Sequence, residues 1–163
     1  MADNFVQLKK DDLLRIKIKD SDGNYTGEEL VFDLEDVELP LIYQDVIEQT
    51  KKNKEHLQNQ FVMIEKRQDV KGKKVLSKNQ EDKIKALKEF YERQVEIYNM
   101  ILGENGVSKL LGGRKVGWTS LADIDEIIGT QLQPYIDVDM NRIKDKIRER
   151  IGKVEKEDKE VLK

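Results

Sequence analysis

"EFYERQVEIYNMILGE", residues 89–104, decides the fold. Apart from Met100, its apolar side chains fall at Phe90, Tyr91, Val95, Ile97, Tyr98, Ile101 and Leu102. These are the steps of three and four that gather on one side of a helix, where a half-buried strand would alternate strictly. Followed backwards, the stripe takes in Leu87 and Ile84, and Ser77-x-x-Gln80 has the form of a capping box that starts the helix. Gly103 stops it, because Gly tolerates the left-handed conformation that closes helix ends. A similar pattern comes before. Pro40 suits a first helical turn, and Tyr43, Val46, Ile47, Thr50, Leu57, Phe61 and Ile64 follow at steps of three, four or seven. Two long helices joined by the polar linker "KRQDVKGKKVLSK", residues 66–78, should pack antiparallel as a helical hairpin.

Upstream the period changes from helical to two. "LLRIKIK", residues 13–19, alternates Leu14, Ile16 and Ile18 with Arg15, Lys17 and Lys19, and "ELVFDLED", residues 29–36, does the same with Leu30, Phe32 and Leu34. Between them "DSDGNYTG" offers Asp22-Gly23 and Gly27 as turn residues, which predicts a β-hairpin over about 13–35. Two strands alone are marginal, so their apolar face should rest on the helices or on another copy of the chain. Downstream, "VSKLL" has the length of a single turn and "GGRKVGW" reads as an irregular loop. Thr119 or Ser120 is then expected to cap a short helix "LADIDEII" that Gly129 ends. Thr130-x-x-Gln133 with Pro134 should start a last helix carrying Ile136, Met140, Ile143, Ile147 and Ile151, and ending near Gly152. The expected architecture is a single α+β domain over 1–152, with residues 153–163 as a frayed, charged tail.

The composition agrees with long helices that have wide solvated faces. In this chain of 163 residues, charged residues make up 39% and apolar ones 37%, against roughly a quarter charged in an ordinary soluble domain. The net charge of −3 provides no general attraction to nucleic acid or to an anionic membrane surface. With no cysteine, disulfides, thiolate metal sites and a Cys nucleophile are excluded, and a reducing compartment is implied. "MADNFVQLKK" has no apolar signal region, and no stretch approaches 18 apolar residues, so a cytoplasmic protein is expected.

Motifs that could carry chemistry fail on particular residues. "GGRKVGWTS", residues 112–120, has the Gly-x-x-x-x-Gly frame of a phosphate-cradling loop, but Trp118 stands where the phosphate-binding Lys is required, and the preceding segment is helical. Asp20, Asp22 and Asn24 alternate as in a calcium loop, yet the Gly comes too early and Val31 replaces the bidentate Glu. Asp137 and Asp139, two apart on a helix, diverge. The one histidine, His56, has no nucleophile or carboxylate placed with it by sequence, and its ordinary reading is solvated surface. The basic linker holds Lys66, Arg67, Lys71, Lys73, Lys74 and Lys78 without the interleaved aromatics that stack bases. No catalytic residue, metal or cofactor is assigned. Trp118 is either a plug that pins the Gly-rich loop to the helices or an interface anchor.

The order of parts resembles the tail assembly chaperones of long-tailed phages, especially those of prophages in Gram-positive bacteria. The likeness covers roughly residues 28–151: a hairpin region, an acidic helical body, "FYERQVEIYNMILGENGVSKLL", a loop, and "SLADIDEIIGTQLQPYI". It is an arrangement and carries no catalytic motif. The resemblance implies a non-enzymatic protein that coats the tape measure protein, recruits tail tube subunits, self-associates and is absent from the finished particle. A holdase of that kind needs apolar helical stripes on a highly charged exterior. The contacts expected from this are Leu110, Leu111, Arg114 and Trp118 in the loop region, and Ile136, Met140, Ile143 and Ile147 on the last helix. Other readings are a structural morphogenesis protein, such as a head–tail connector or minor tail protein, and a cellular regulatory module using the basic linker.

Overall fold

The computed structural model describes residues 3–7 and 13–161; the side chains of 137–140, 142–143 and 154–161 lie outside the description. The elements run β1 (Leu13–Lys19), β2 (Tyr25–Asp33), α1 (Leu39–Lys66), α2 (Lys78–Leu102), α3 (Gly106–Leu111) and α4 (Trp118–Val161). The α+β reading holds: an antiparallel hairpin precedes a mostly helical body.

Strand register follows from the alternation. Leu14 faces Phe32 and Ile16 faces Leu30, so apolar side chains meet across one face, while Arg15 on the wet face donates to Glu29 Oε1 at 2.8 Å. The turn is built on Asp20, whose carboxylate accepts the N–H groups of Asp22 at 3.0 Å and Asn24 at 2.9 Å. A carboxylate engaged in this way is an Asx turn. The register shifts between Lys17 and Lys19, opposite the part of β2 that contains Gly27, so Gly27 belongs to an irregularity within the strand and lies outside the turn. Ile18, Leu30, Phe32 and Leu34 are buried. Ile18, Leu30 and Phe32 join the helical core, so the hairpin rests on its own chain.

The helical hairpin forms with the expected caps. Pro40 lies in the first turn of α1. At α2, Ser77 Oγ accepts the Gln80 N–H at 3.2 Å while Gln80 Oε1 accepts the Ser77 N–H at 2.9 Å, and Gly103 closes the far end. The linker is tied down. Arg67 donates to Asn79 Oδ1 at 2.9 Å and to the Asp82 carboxylate, and Asp69 accepts the Asn79 N–H at 3.0 Å. The hydrogen bond from Arg67, with help from Lys78, holds the Asp82 carboxyl below its ordinary value, and the Asn79 N–H does the same for Asp69. Pairs such as Glu65 with Lys83 and Asn53 with Gln94 show that α1 and α2 run antiparallel.

Between these helices lies a buried polar ladder. Gln94 is 1% exposed; its amide donates to Thr50 Oγ1 at 2.8 Å and accepts from Asn53 Nδ2 at 3.0 Å, and Asn53 also donates to the Phe90 carbonyl at 3.2 Å. A buried amide left unpaired costs about 1–3 kcal/mol. Sliding either helix by one turn would break all three bonds, so the ladder fixes the register as well as contributing stability.

After α2 the chain turns sharply into α3. A Cβ at Gly106 would lie 2.4 Å from Leu102 Cβ, closer than any side chain allows. Val107 and Leu111 are thereby brought into the core, and the Val107 N–H finds Asn99 Oδ1 at 3.0 Å. Gly112 and Gly113 both have positive φ, at 58° and 87°, which lets the chain leave α3 in the left-handed region. The Gly-rich loop thus follows a helix, and no strand feeds it.

The largest departure from expectation is α4. Instead of two helices broken at Gly129, one helix of 44 residues runs from Trp118 to Val161 with Pro134 inside it. Thr119 and Ser120 lie within its first turn and do not cap it as expected; Ser120 Oγ reaches back to the Gly117 N–H at 2.9 Å. Thr130 caps nothing either, and its hydroxyl bonds the Glu126 carbonyl at 2.8 Å. The helix also passes Gly152, its expected end, and takes in most of the segment expected to fray. The energetics explain the continuity. An interior Pro costs about 3 kcal/mol and a Gly about 1. Against this, Leu121, Ile124, Ile128 and Leu132 form one buried stripe that Ile136 extends, with each full burial worth about 1.5–3 kcal/mol. A break would swing Leu132 and Ile136 out of the core and leave up to eight backbone groups unpaired at two new helix ends.

Candidate functional site

A cleft of about 120 Å³ opens where α1, α2 and α4 meet. Phe90, Gln94 and Tyr98 come from successive turns of α2, Trp118, Leu121 and Asp125 from the first turns of α4, and Lys54 from α1. Trp118 stacks over Phe90, with ring centroids 6.0 Å apart and planes at 27°, yet remains 57% exposed. Also in the lining, the buried Tyr98 donates its hydroxyl to Asp125 Oδ1 at 3.2 Å. Burial, and then the Asp125 carboxylate, push the Tyr98 phenol far above the ordinary tyrosine value. It is therefore a fixed hydrogen-bond donor at neutral pH.

The cleft falls well short of the roughly 300–1,000 Å³ of small-molecule sites. An exposed indole stacked on Phe90, with Lys54 and Asp125 supplying opposite charges in the lining, suits the capture of a protruding side chain. A larger, shallower groove of about 750 Å³ lies on an adjoining side of α2, lined by Tyr91, Val95, Leu111 and Val116 with Lys88, Arg114 and Lys115 at its rim. There Arg114 Nε donates to the Leu111 carbonyl at 3.2 Å, which ties the loop to the end of α3.

The contact residues expected from sequence are divided among different surroundings. Leu111 is largely buried in the core, because α3 is pulled inward by Val107, and its remaining surface lines the groove. Leu110 is half-buried against the same core. Arg114 is exposed at the groove and Trp118 at the cleft. Trp118 is thus no core plug: it covers Phe90 from outside. Ile136 is half-buried and Ile147 exposed, while the side chains of Met140 and Ile143 lie outside the described residues. Sequence reasoning missed Lys54, Gln94, Tyr98 and Asp125 as members of one site. Only Gln94 left a trace, as a polar residue on the stripe between Phe90 and Tyr98.

His56 is exposed, and among the described residues no group of three or more His, Cys, Asp or Glu could hold a metal ion. No helix among them is long and apolar enough to cross a membrane. No protein-family model, curated protein or solved structure matches this chain.

Proposed function

We propose that this chain is a non-enzymatic tail assembly chaperone, a holdase that binds the tape measure protein and tail tube subunits while a phage tail is built. The observation that carries the reading is a pairing of opposites. Large apolar side chains, Trp118 at the cleft and Ile147 and Ile151 on α4, stand in solvent on a chain whose residues are 39% charged. Exposed aromatics at a recess are where interface energy concentrates, and a dense mixed-charge exterior limits indiscriminate aggregation. The order of parts that resembles the tail assembly chaperones supplies the identity of the partners. In this reading the cleft takes a side chain of the partner's helix, and the groove beside Arg114 takes an adjoining turn.

The test is affinity capture of the tagged full chain from a lysate of its source induced for prophage, with captured proteins identified by mass spectrometry. Recovery of a very long helical protein and a tail tube subunit is expected, with no bait in purified particles. Abundant bait in finished virions, or capture of nucleic acid alone, overturns the proposal. Trp118→Ala checks the site: with the indole already more than half exposed, the variant should lose only about 1–2 kcal/mol of stability and most of the capture.

A further inference from the structure

The apolar stripe of α4 outlasts the body it packs on. Leu121, Ile124, Ile128 and Leu132 are buried and Ile136 is half-buried, but Ile147 and Ile151 are each 54% exposed. At Lys146 the helix passes the end of the hairpin, where its ammonium meets Glu35 Oε1 at 2.6 Å. From Ile136 onward the sequence steps alternate four and three: Ile136, Met140, Ile143, Ile147, Arg150, Val154, Glu157, Val161. That is a heptad seam, with Met140, Ile147, Val154 and Val161 at a and Ile136, Ile143, Arg150 and Glu157 at d. It extends over about 39 Å of helix at about 1.5 Å per residue.

We infer that residues 136–161 pair in parallel and in register with the same segment of a second copy. The charges flanking the seam select this occupant. In a parallel pair each g residue faces the e residue five places on in its partner. Asp139 then meets Lys144, Lys153 meets Asp158, and Lys146 meets the apolar Ile151, so no like charges face each other across the g–e flanks. Each attractive pair forms twice by symmetry. The fully overlapped antiparallel arrangement instead sets Lys146 against Lys153, Asp139 against Glu160 and Asp137 against Asp158. Arg150 and Glu157 interrupt the d layers and make the pair weak, so it forms by mass action as concentration rises. Such a pair is a closed two-fold contact, and it holds whatever partner the cleft takes.

The chain has no cysteine, so a single introduced thiol reports the geometry without background. Ile147→Cys in the full chain, oxidised mildly, should form a disulfide-linked dimer, because a residues meet their own counterparts. Val75→Cys, on a linker side chain that is 90% exposed, should stay monomeric under the same conditions. Arg150→Leu should tighten the dimer about tenfold by sedimentation equilibrium, since it replaces a like-charge layer with an apolar one. Should Ile147→Cys fold poorly by circular dichroism, Val154→Cys at the next a position serves instead. The inference is overturned if the wild-type chain stays monomeric at about 100 µM, or if cross-linking is no faster than for Val75→Cys. Cross-linking that requires a mixture of Ile147→Cys and Arg150→Cys chains also overturns it, because that is the antiparallel signature.

Discussion

The two halves of α4 share one backbone and one apolar stripe, and their fates differ. In the first half Leu132 is 1% exposed, packed with Leu121, Ile124 and Ile128 against the α1–α2 pair; in the second, Ile147 and Ile151 are 54% exposed. The neighbouring sequence differs as well. From Trp118 to Ile136 the charged residues are Asp123, Asp125 and Glu126, whereas from Asp137 on they crowd every turn with both signs. Hydrophobic period says which face of a helix seeks cover, and charge density says how well the helix survives without it. The first half is held by the body, and the second keeps its backbone bonds in water with the help of its charges.

That contrast can be broken most sharply at Leu132. Leu132→Ala should cost about 3 kcal/mol in urea unfolding, while Ile147→Ala in dilute, monomeric protein should stay within about 0.5 kcal/mol of wild type. Equal losses would mean that both halves are packed alike. Gln94→Leu tests the surface on which the first half rests. It removes one of the two acceptors of the buried Asn53 amide and the donor to the Thr50 hydroxyl, and a loss of about 2 kcal/mol is expected; an unchanged midpoint would show that the ladder is dispensable. Pro134→Ala, between the halves, should stabilise by about 2 kcal/mol, from about 3 in helix propensity less about 1 for the more flexible unfolded chain. If it destabilises, Pro134 has a structural role that its exposed position hides.

Tyr98 gives the contrast a pH dependence. Its folded phenol titrates above the unfolded one, so the protonated form stabilises the fold fully below about pH 10, and the contribution is lost as pH rises from there through the folded value. Thermal melts from pH 9 to 12 should therefore fall less steeply for Tyr98→Phe than for wild type; parallel slopes would show that Asp125 and burial do not hold that proton. The smallest effect belongs to Gly129→Ala. A Cβ there meets nothing within 4 Å, and a gain of about 0.5–1 kcal/mol is expected.

Local chemistry was legible from sequence wherever the partners lie a few residues apart. Ser77 and Gln80 form their capping box, Pro40 opens α1, Gly103 closes α2, and Leu14, Ile16, Leu30 and Phe32 meet across the hairpin. The reading failed at Gly129, Thr130 and Pro134, where a local stop signal and two local start signals gave way to a stripe spanning the expected break. The cleft was legible only in part: Trp118 was singled out, but whether it lay inside or outside depended on Phe90, 28 places earlier in the chain by their residue numbers. Lys54, Tyr98 and Asp125 come from three different helices, and no short pattern links them.

By itself the sequence determined the kinds of element, their order, most of their ends and the face each would bury, because caps, turns and periodicity act over a few residues of backbone. Only the tertiary structure decided that α4 is continuous, that Trp118 stands at the lip of a cleft, that Leu111 is core, and where along α4 the body stops. Those outcomes turn on apolar area removed from water by residues far apart in the chain, and that energy exists only once the helices have met.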